Sequence, residues 1–232
     1  MTGTRFLPRW EVAGVSGAVV AVDVLRAFTT AAYAFAAGAR HIFLVDSVEE
    51  ALSLKTTDPD LLAMGEDHGR RVDGFDFSNS PAEVAAADLD DRVLVQRTSA
   101  GTRGVVAARS ATRLWCSGLV CASATAAAVR ASALGDPTYV ITGKVMGNRS
   151  ANGTDDTATA QLIERARLGV DLDAESTRRF VANSEEAKRT LALGPGHVDP
   201  EDIALATRVD AFDFAMEVHR IGGRLRLDRT QP

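Results

Sequence analysis

A three-layer α/β/α fold with a mostly parallel sheet is what this sequence predicts, on three observations. Apolar runs rich in branched residues recur: Ala18 to Val22, His41 to Asp46, Arg92 to Gln96 and Thr138 to Gly143. Such runs suit strands buried on both faces. Alanine-rich segments of helical length lie between them, closed by glycine or proline. A polar or acidic turn separates each run from the helix that follows, the alternation that builds a parallel sheet.

In chain order, residues 1 to 17 show no clear period. Ala18 to Val22 is the first strand, and the alanine-rich segment from Thr29 to Gly38 is its helix. After the second strand, Ser47 and Glu50 have capping-box spacing. Leu61 to Asp67 begins apolar and ends acidic, like the first strand. Ser80-Pro81 has the N-cap and N1 chemistry of a helix start. Arg92 to Gln96, the turn Thr98 to Thr102 and Arg103 to Arg109 repeat strand, turn and helix. A strand is expected over Leu114 to Val120 and a helix over Ala122 to Leu134. Asn148 to Thr154 reads as a small-residue loop. Asp155-Asp156 then opens a helix, with acids suited to its positive end. Residues 171 to 194 and Pro200 to Thr207 read as helices, and the chain ends in apolar stretches at Phe212 to Val218 and Leu225 to Leu227. No linker or low-complexity segment divides residues 1–232, so one α/β domain is expected, its second half repeating the rhythm of the first.

Bulk properties narrow the function. The 232 residues are 46% hydrophobic and 25% charged, with net charge −5. That balance gives no basic field for nucleic acid or an anionic membrane. No apolar run approaches the roughly 20 residues of a membrane span. The opening MTGTRFLPRW has no signal-peptide core. The two cysteines, Cys116 and Cys121, match no zinc or dithiol motif. A cytoplasmic enzyme with free thiols is the expectation, and a homo-oligomer is left open.

The turns after the strands carry the chemistry. In an open parallel sheet, ligands bind beyond the carboxyl ends of the strands. The turns there hold Asp23, Arg26, Thr29 and Thr30, then Glu66, then Thr98, Ser99 and Thr102, then Asp155 and Asp156. If the sheet is parallel, these turns share one edge. Carboxylates gathered there repel unless a cation sits among them. Oxygen ligands without His or Cys suit Mg²⁺. The plainer alternative is that Asp23 and Thr29 cap a helix and that Asp155 and Asp156 only favour its dipole. The lysine of a P-loop and a GxGxxG fingerprint are both absent.

Several segments also resemble one family. Asp23 to Thr30, DVLRAFTT, is similar to the DVLRATTT segment of the 2-phosphosulfolactate phosphatases. Gly65-Glu66 resembles their GER segment, and Gly74 to Pro81 their GFDxGNSP segment. Thr98 to Thr102 sits where they carry TTNGT, and Asp155 to Ala158 where they carry E-D-x-x-A. Asp67 replaces the arginine of GER, and Ala100 the asparagine of TTNGT. The resemblance implies a Mg²⁺-dependent phosphatase acting on 2-phospho-3-sulfolactate, a small anionic phosphorylated substrate. Asp23, Arg26 and Glu66 would be catalytic, and Asp23, Glu66 and Asp156 would hold the metal. Thr29, Thr30, Asn79, Ser80, Thr98, Ser99, Gly101 and Thr102 would bind substrate. The rivals are a phosphatase of another phosphorylated carboxylate and an inactive anion-binding relative.

Overall fold

The computed structural model describes residues 3–144, 146, 152–170 and 173–232. Residues 148–151 of the expected small-residue loop lie outside them, as do residues 171–172. The chain begins with β1 (Arg5–Pro8), then β2 (Ala18–Val22), which is buried at every residue as a strand covered on both faces must be. α1 (Ala27–Ala36) and β3 (His41–Val45) follow. α2 (Val48–Thr57) starts at the predicted cap, with the Glu50 N–H donating to Ser47 Oγ at 3.1 Å. β4 (Leu62–Gly65) and the two-residue β5 (Phe77–Ser78) lead to α3 (Pro81–Ala85), capped by Ser80 with Pro81 at its first position. β6 (Val93–Arg97), α4 (Gly101–Ala107), β7 (Arg113–Ser117), α5 (Ala122–Ala131) and β8 (Thr138–Ile141) complete the alternation. Four helices then run in succession: α6 (Thr154–Arg167), α7 (Ala174–Ala182), α8 (Glu185–Leu191) and α9 (Glu201–Ala206). The hairpin of β9 (Ala215–Ile221) and β10 (Arg224–Thr230) ends the fold. Gly222 and Gly223 turn it at φ of 57° and 81°, the left-handed pair that a tight hairpin needs.

The strands form one mixed, mostly parallel sheet in the order β1-β8-β2-β7-β9-β10-β3-β6-β4-β5. The predicted fold class therefore stands, but the expectation of a single active edge does not. β1, β8, β2 and β7 form one parallel group, and β3, β6, β4 and β5 form another. The β9–β10 hairpin joins them through three antiparallel pairings, so the two groups point in opposite directions. The sheet curls to compensate. Val19 and Ala21 of β2 share one core with Ile42 and Leu44 of β3 and Leu94 of β6, packed on α1 and α4. α1 lies enclosed, with nine of its ten residues buried, which explains its apolar character all round. The outer face of β2 packs on α5 and α6, and the outer face of β3 and β6 packs with Ala51 of α2.

Three details differ from expectation. The lead-in holds β1, too short to show a period. The strand expected over Leu114 to Val120 ends at Ser117, because Leu119–Cys121 tightens into a 3-10 turn. β9 starts at Ala215, three residues after Phe212.

Candidate active site

Curling places the end of β2 against the turn after β6. Asp23 leaves β2 and is buried. Its Oδ1 accepts the Ala27 N–H at 2.9 Å, so it does cap α1. Its Oδ2 accepts the Thr142 hydroxyl at 3.0 Å, from the turn after β8. A Cβ on Gly101 would stand 2.9 Å from that same Oδ2 and 3.2 Å from Thr98 Oγ1. The Ala27 Cβ would be nearer still, at 2.6 Å, so only glycine, from the opposite half of the sheet, allows this close approach. Gln96 fastens the halves, its amide donating to the Ala27 carbonyl at 2.8 Å.

Asp156 completes the near side from the first turn of α6. Its Oδ1 accepts the Val24 N–H at 2.9 Å, and its Oδ2 the Gly143 N–H at 2.8 Å. Asp155 is also buried, and its Oδ1 has no partner among the described residues. Burial is the first cause that pushes these carboxyls up. Asp23 rises from 3.8 to about 6, the Ala27 and Thr142 hydrogen bonds opposing and the Glu66 charge assisting. Asp155 rises to about 7, with Glu186 adding repulsion. Asp156 stands well above the ordinary carboxylate range, with Asp155 and Asp23 adding to burial.

These shifts set a pH dependence of stability. The unfolded chain releases these protons near 3.8, whereas the fold retains them to about 6 and about 7. Stability therefore falls as pH rises through that window. Forcing one such group to ionise costs roughly 3 kcal/mol. Chelator-treated protein is expected to melt about 5–10 °C lower at pH 8 than at pH 5. A Tm that rises or stays level over that interval, followed by calorimetry, would contradict the shifts.

The other predicted residues fall into distinct settings. Thr98 and Thr102 clamp their own turn: the Thr98 N–H donates to Thr102 Oγ1 at 2.9 Å, and the Thr102 N–H to Thr98 Oγ1 at 3.0 Å. Glu66 fastens the facing loop to this turn. Its carboxylate accepts the Ser99 N–H, the Ser99 hydroxyl at 3.0 Å and the Gly69 N–H at 2.5 Å. Thr29 donates to the Val24 carbonyl at 2.8 Å, and Thr30 Oγ1 is buried without a partner among the described residues. Arg26 donates to Asp202 Oδ2 at 2.6 Å and to the His197 carbonyl at 3.0 Å. Ser80 donates to the other oxygen of Asp202 at 2.6 Å. Asn79 is buried beside it in the chain, its Oδ1 unpartnered among the described residues. Asp67, one of the two family departures, pairs with Arg97 at 2.6 Å. Ala100, the other, lines the cavity beside Asp23.

Thr142, Glu186, Arg189 and Asp202 were not picked out in the sequence. The three last lie on helices that read as solvated or structural, far along the chain from the motifs they meet. Glu186 and Asp202 carried a signal only as acids in the first turns of α8 and α9. Glu186 has a further role. It accepts the Thr154 N–H at 3.2 Å and the Thr154 hydroxyl at 2.9 Å, and so holds α8 against the start of α6.

Asp23, Asp155 and Asp156 offer hard oxygen donors, and Asp155 Oδ1 has no partner among the described residues, which is chemistry suited to Mg²⁺. Among the described residues, no three His, Cys, Asp or Glu side chains form a ready cage for a metal. A cation here would use one or two carboxylates and complete its shell with water and substrate oxygens, as Mg²⁺ commonly does.

The family profile described as 2-phosphosulpholactate phosphatase matches residues 9–220. A Bacillus subtilis protein named "Probable 2-phosphosulfolactate phosphatase" is 34% identical over 213 residues, covering 91% of both chains. A Thermoplasma acidophilum protein of the same name is 30% identical over 207 residues, 89% of this chain and 87% of its own. A Thermus thermophilus protein, again so named, is 36% identical over 146 residues, 62% of this chain and 59% of its own. With a matching profile over nearly its whole length, and relatives aligned end to end, this chain belongs to the 2-phosphosulpholactate phosphatase family.

Proposed function

We propose that the protein is a Mg²⁺-dependent phosphomonoesterase that hydrolyses 2-phospho-3-sulfolactate to 3-sulfolactate and phosphate. The observation that supports this most is the close approach of Asp23 to the Thr98–Thr102 turn at Gly101, beside a cavity that Asp155 and Asp156 also line. Phosphoryl transfer asks chiefly for positioning and charge neutralisation. Mg²⁺, held by Asp23 and Asp156, supplies the positive charge when bound. The phosphate would enter the cavity that Asp23, Asp155, Asp156 and Ala100 line. Thr98, Thr102 and the Glu66-anchored Ser99 hold the turn that walls it. Hydrolysis makes a P–O bond to water, breaks the ester P–O bond and returns a proton to the departing alcohol oxygen. Asp155, with a carboxyl pushed up to about 7 and an oxygen unpartnered among the described residues, suits that proton.

A cytoplasmic setting belongs to the same proposal, supported by two buried, unpaired cysteines. Among the described residues no helix is long and apolar enough to cross a membrane. The test is phosphate release from 2-phosphosulfolactate. Activity should vanish in EDTA and return with Mg²⁺. Full turnover by metal-free protein would refute the metal, and no turnover under any condition would refute the substrate. The exchange at Ala100, which lines the cavity, favours 2-phospholactate as the competing substrate in the same assay.

A further inference from the structure

Arg9 opens the 3-10 turn Arg9–Glu11, which packs on α4. Its half-buried side chain is pinned by the turn after β8. Nη1 donates to the Thr142 carbonyl at 2.9 Å and to the Lys144 carbonyl at 2.7 Å. Gly143, between those two residues, lines a cavity of about 240 Å³ that opens beside Asp23. Thr142 ties the same turn to the site, its hydroxyl donating to Asp23 Oδ2 at 3.0 Å. One edge of the Arg9 guanidinium is therefore fixed, while its Nε and Nη2 make no hydrogen bond among the described residues. Backbone carbonyls hold the group without cancelling its charge.

A second cation stands nearby. Arg103 lies in the first turn of α4, directly after Thr102. Gly104, next to it, packs so closely on Thr142 that a Cβ there would stand 2.7 Å from Thr142 Cγ2. Burial pulls the Arg9 guanidinium below its ordinary value, the Arg103 charge pulls it further, and the Asp23 charge opposes both. Arg9 thus has one cation and one carboxylate as electrical neighbours. Two guanidiniums brought together repel unless an anion joins them. Arg103 pairs with Asp46 at 3.2 Å, with 51% and 53% of the two side chains exposed, and so open a pair contributes little. The other arginines at the turns are committed: Arg26 is sealed against Asp202, and Arg97 is held by Asp67 and the Glu66 carbonyl.

We propose that Arg9 and Arg103 form a guanidinium pair that binds the phosphoryl oxygens of the substrate at the Thr142 side of the cavity. Planar forks of this kind match phosphate oxygens. This rests on the functional reading above for the identity of the ester.

The test compares wild type with Arg9→Gln, Arg103→Gln and the double variant. Glutamine removes the charge yet keeps an N–H donor for a carbonyl of the turn after β8. Inhibition by inorganic phosphate and by 3-sulfolactate is measured in Mg²⁺-loaded protein, with 2-phosphosulfolactate and p-nitrophenyl phosphate as substrates. Each single variant should raise the inhibition constant of phosphate by about tenfold or more. That of 3-sulfolactate, which carries no phosphate, should change less than about threefold. kcat/KM should fall alike for the two esters, because the phosphate is the group they share. The double variant should lose less than the product of the single losses, as two residues acting on one ligand group do. The rise in Tm on adding phosphate should shrink in both single variants. Unchanged phosphate inhibition would overturn the assignment. So would a loss confined to 2-phosphosulfolactate and 3-sulfolactate, which would place the pair on the acidic tail. Should Arg9→Gln fail to fold, Arg103→Gln decides by the same measures. If the wild type releases phosphate from neither ester, the functional reading falls, and the phosphate-induced rise in Tm still judges the pair.

Discussion

Asp23→Asn is expected to lower kcat on 2-phosphosulfolactate by about two orders of magnitude or more while leaving the protein folded. Asparagine keeps an oxygen for the Ala27 N–H, so the cap on α1 survives. It removes the negative charge that would hold Mg²⁺ at the cavity. It also removes a buried carboxyl whose ionisation is resisted up to about pH 6. The variant should therefore melt at or above the wild-type temperature at pH 8. Loss of activity with gain of stability is the signature of a functional group kept at the expense of the fold. Were the variant to turn over at the wild-type rate, Asp23 would be a helix cap and nothing more.

Asp202→Ala should have the largest effect on stability. Asp202 accepts Arg26 and Ser80 at 2.6 Å, the Ala82 N–H at 3.1 Å and the Asp199 N–H at 3.0 Å. Its side chain is fully buried, as is nearly all of Arg26. Removing the carboxylate leaves a buried guanidinium unpaired, at a cost of about 3–5 kcal/mol. In a chain of this length that lowers Tm by about 10 °C. Arg26→Met combined with Asp202→Leu should recover much of the loss, because two apolar groups leave no buried charge. If Asp202→Ala melted within about 2 °C of wild type, the pair would not be sealed as described.

The two expectations differ in how visible their residues are in the sequence. Asp23 ends a buried apolar run and precedes a helix, so its place past a strand can be read locally. The same holds for the Ser47 and Ser80 caps, whose partners lie three residues away. The clamp between Thr98 and Thr102 is local too. Arg26 shows the opposite case. Three residues after Asp23, it looks placed for an anion, yet the structure gives its guanidinium to Asp202, 176 residues away.

By itself the sequence determined the alternating α/β fold, the acids and hydroxyls of the turns, and the family, because these rest on short-range pattern. The hydrophobic period of a strand and the chemistry of a cap act within a few residues. Only the tertiary structure decided which turns meet. Two parallel groups of opposite direction are joined by the β9–β10 hairpin, and the resulting sheet must curl around α1 to bury its inner faces. That curl sets Gly101 against Asp23. It also decided what each charge faces: burial sends Asp23 and Asp155 upward and commits Arg26 to a buried partner, while Arg189 remains on the cavity wall. Burial and pairing are set by contacts between distant segments, and no local pattern encodes them.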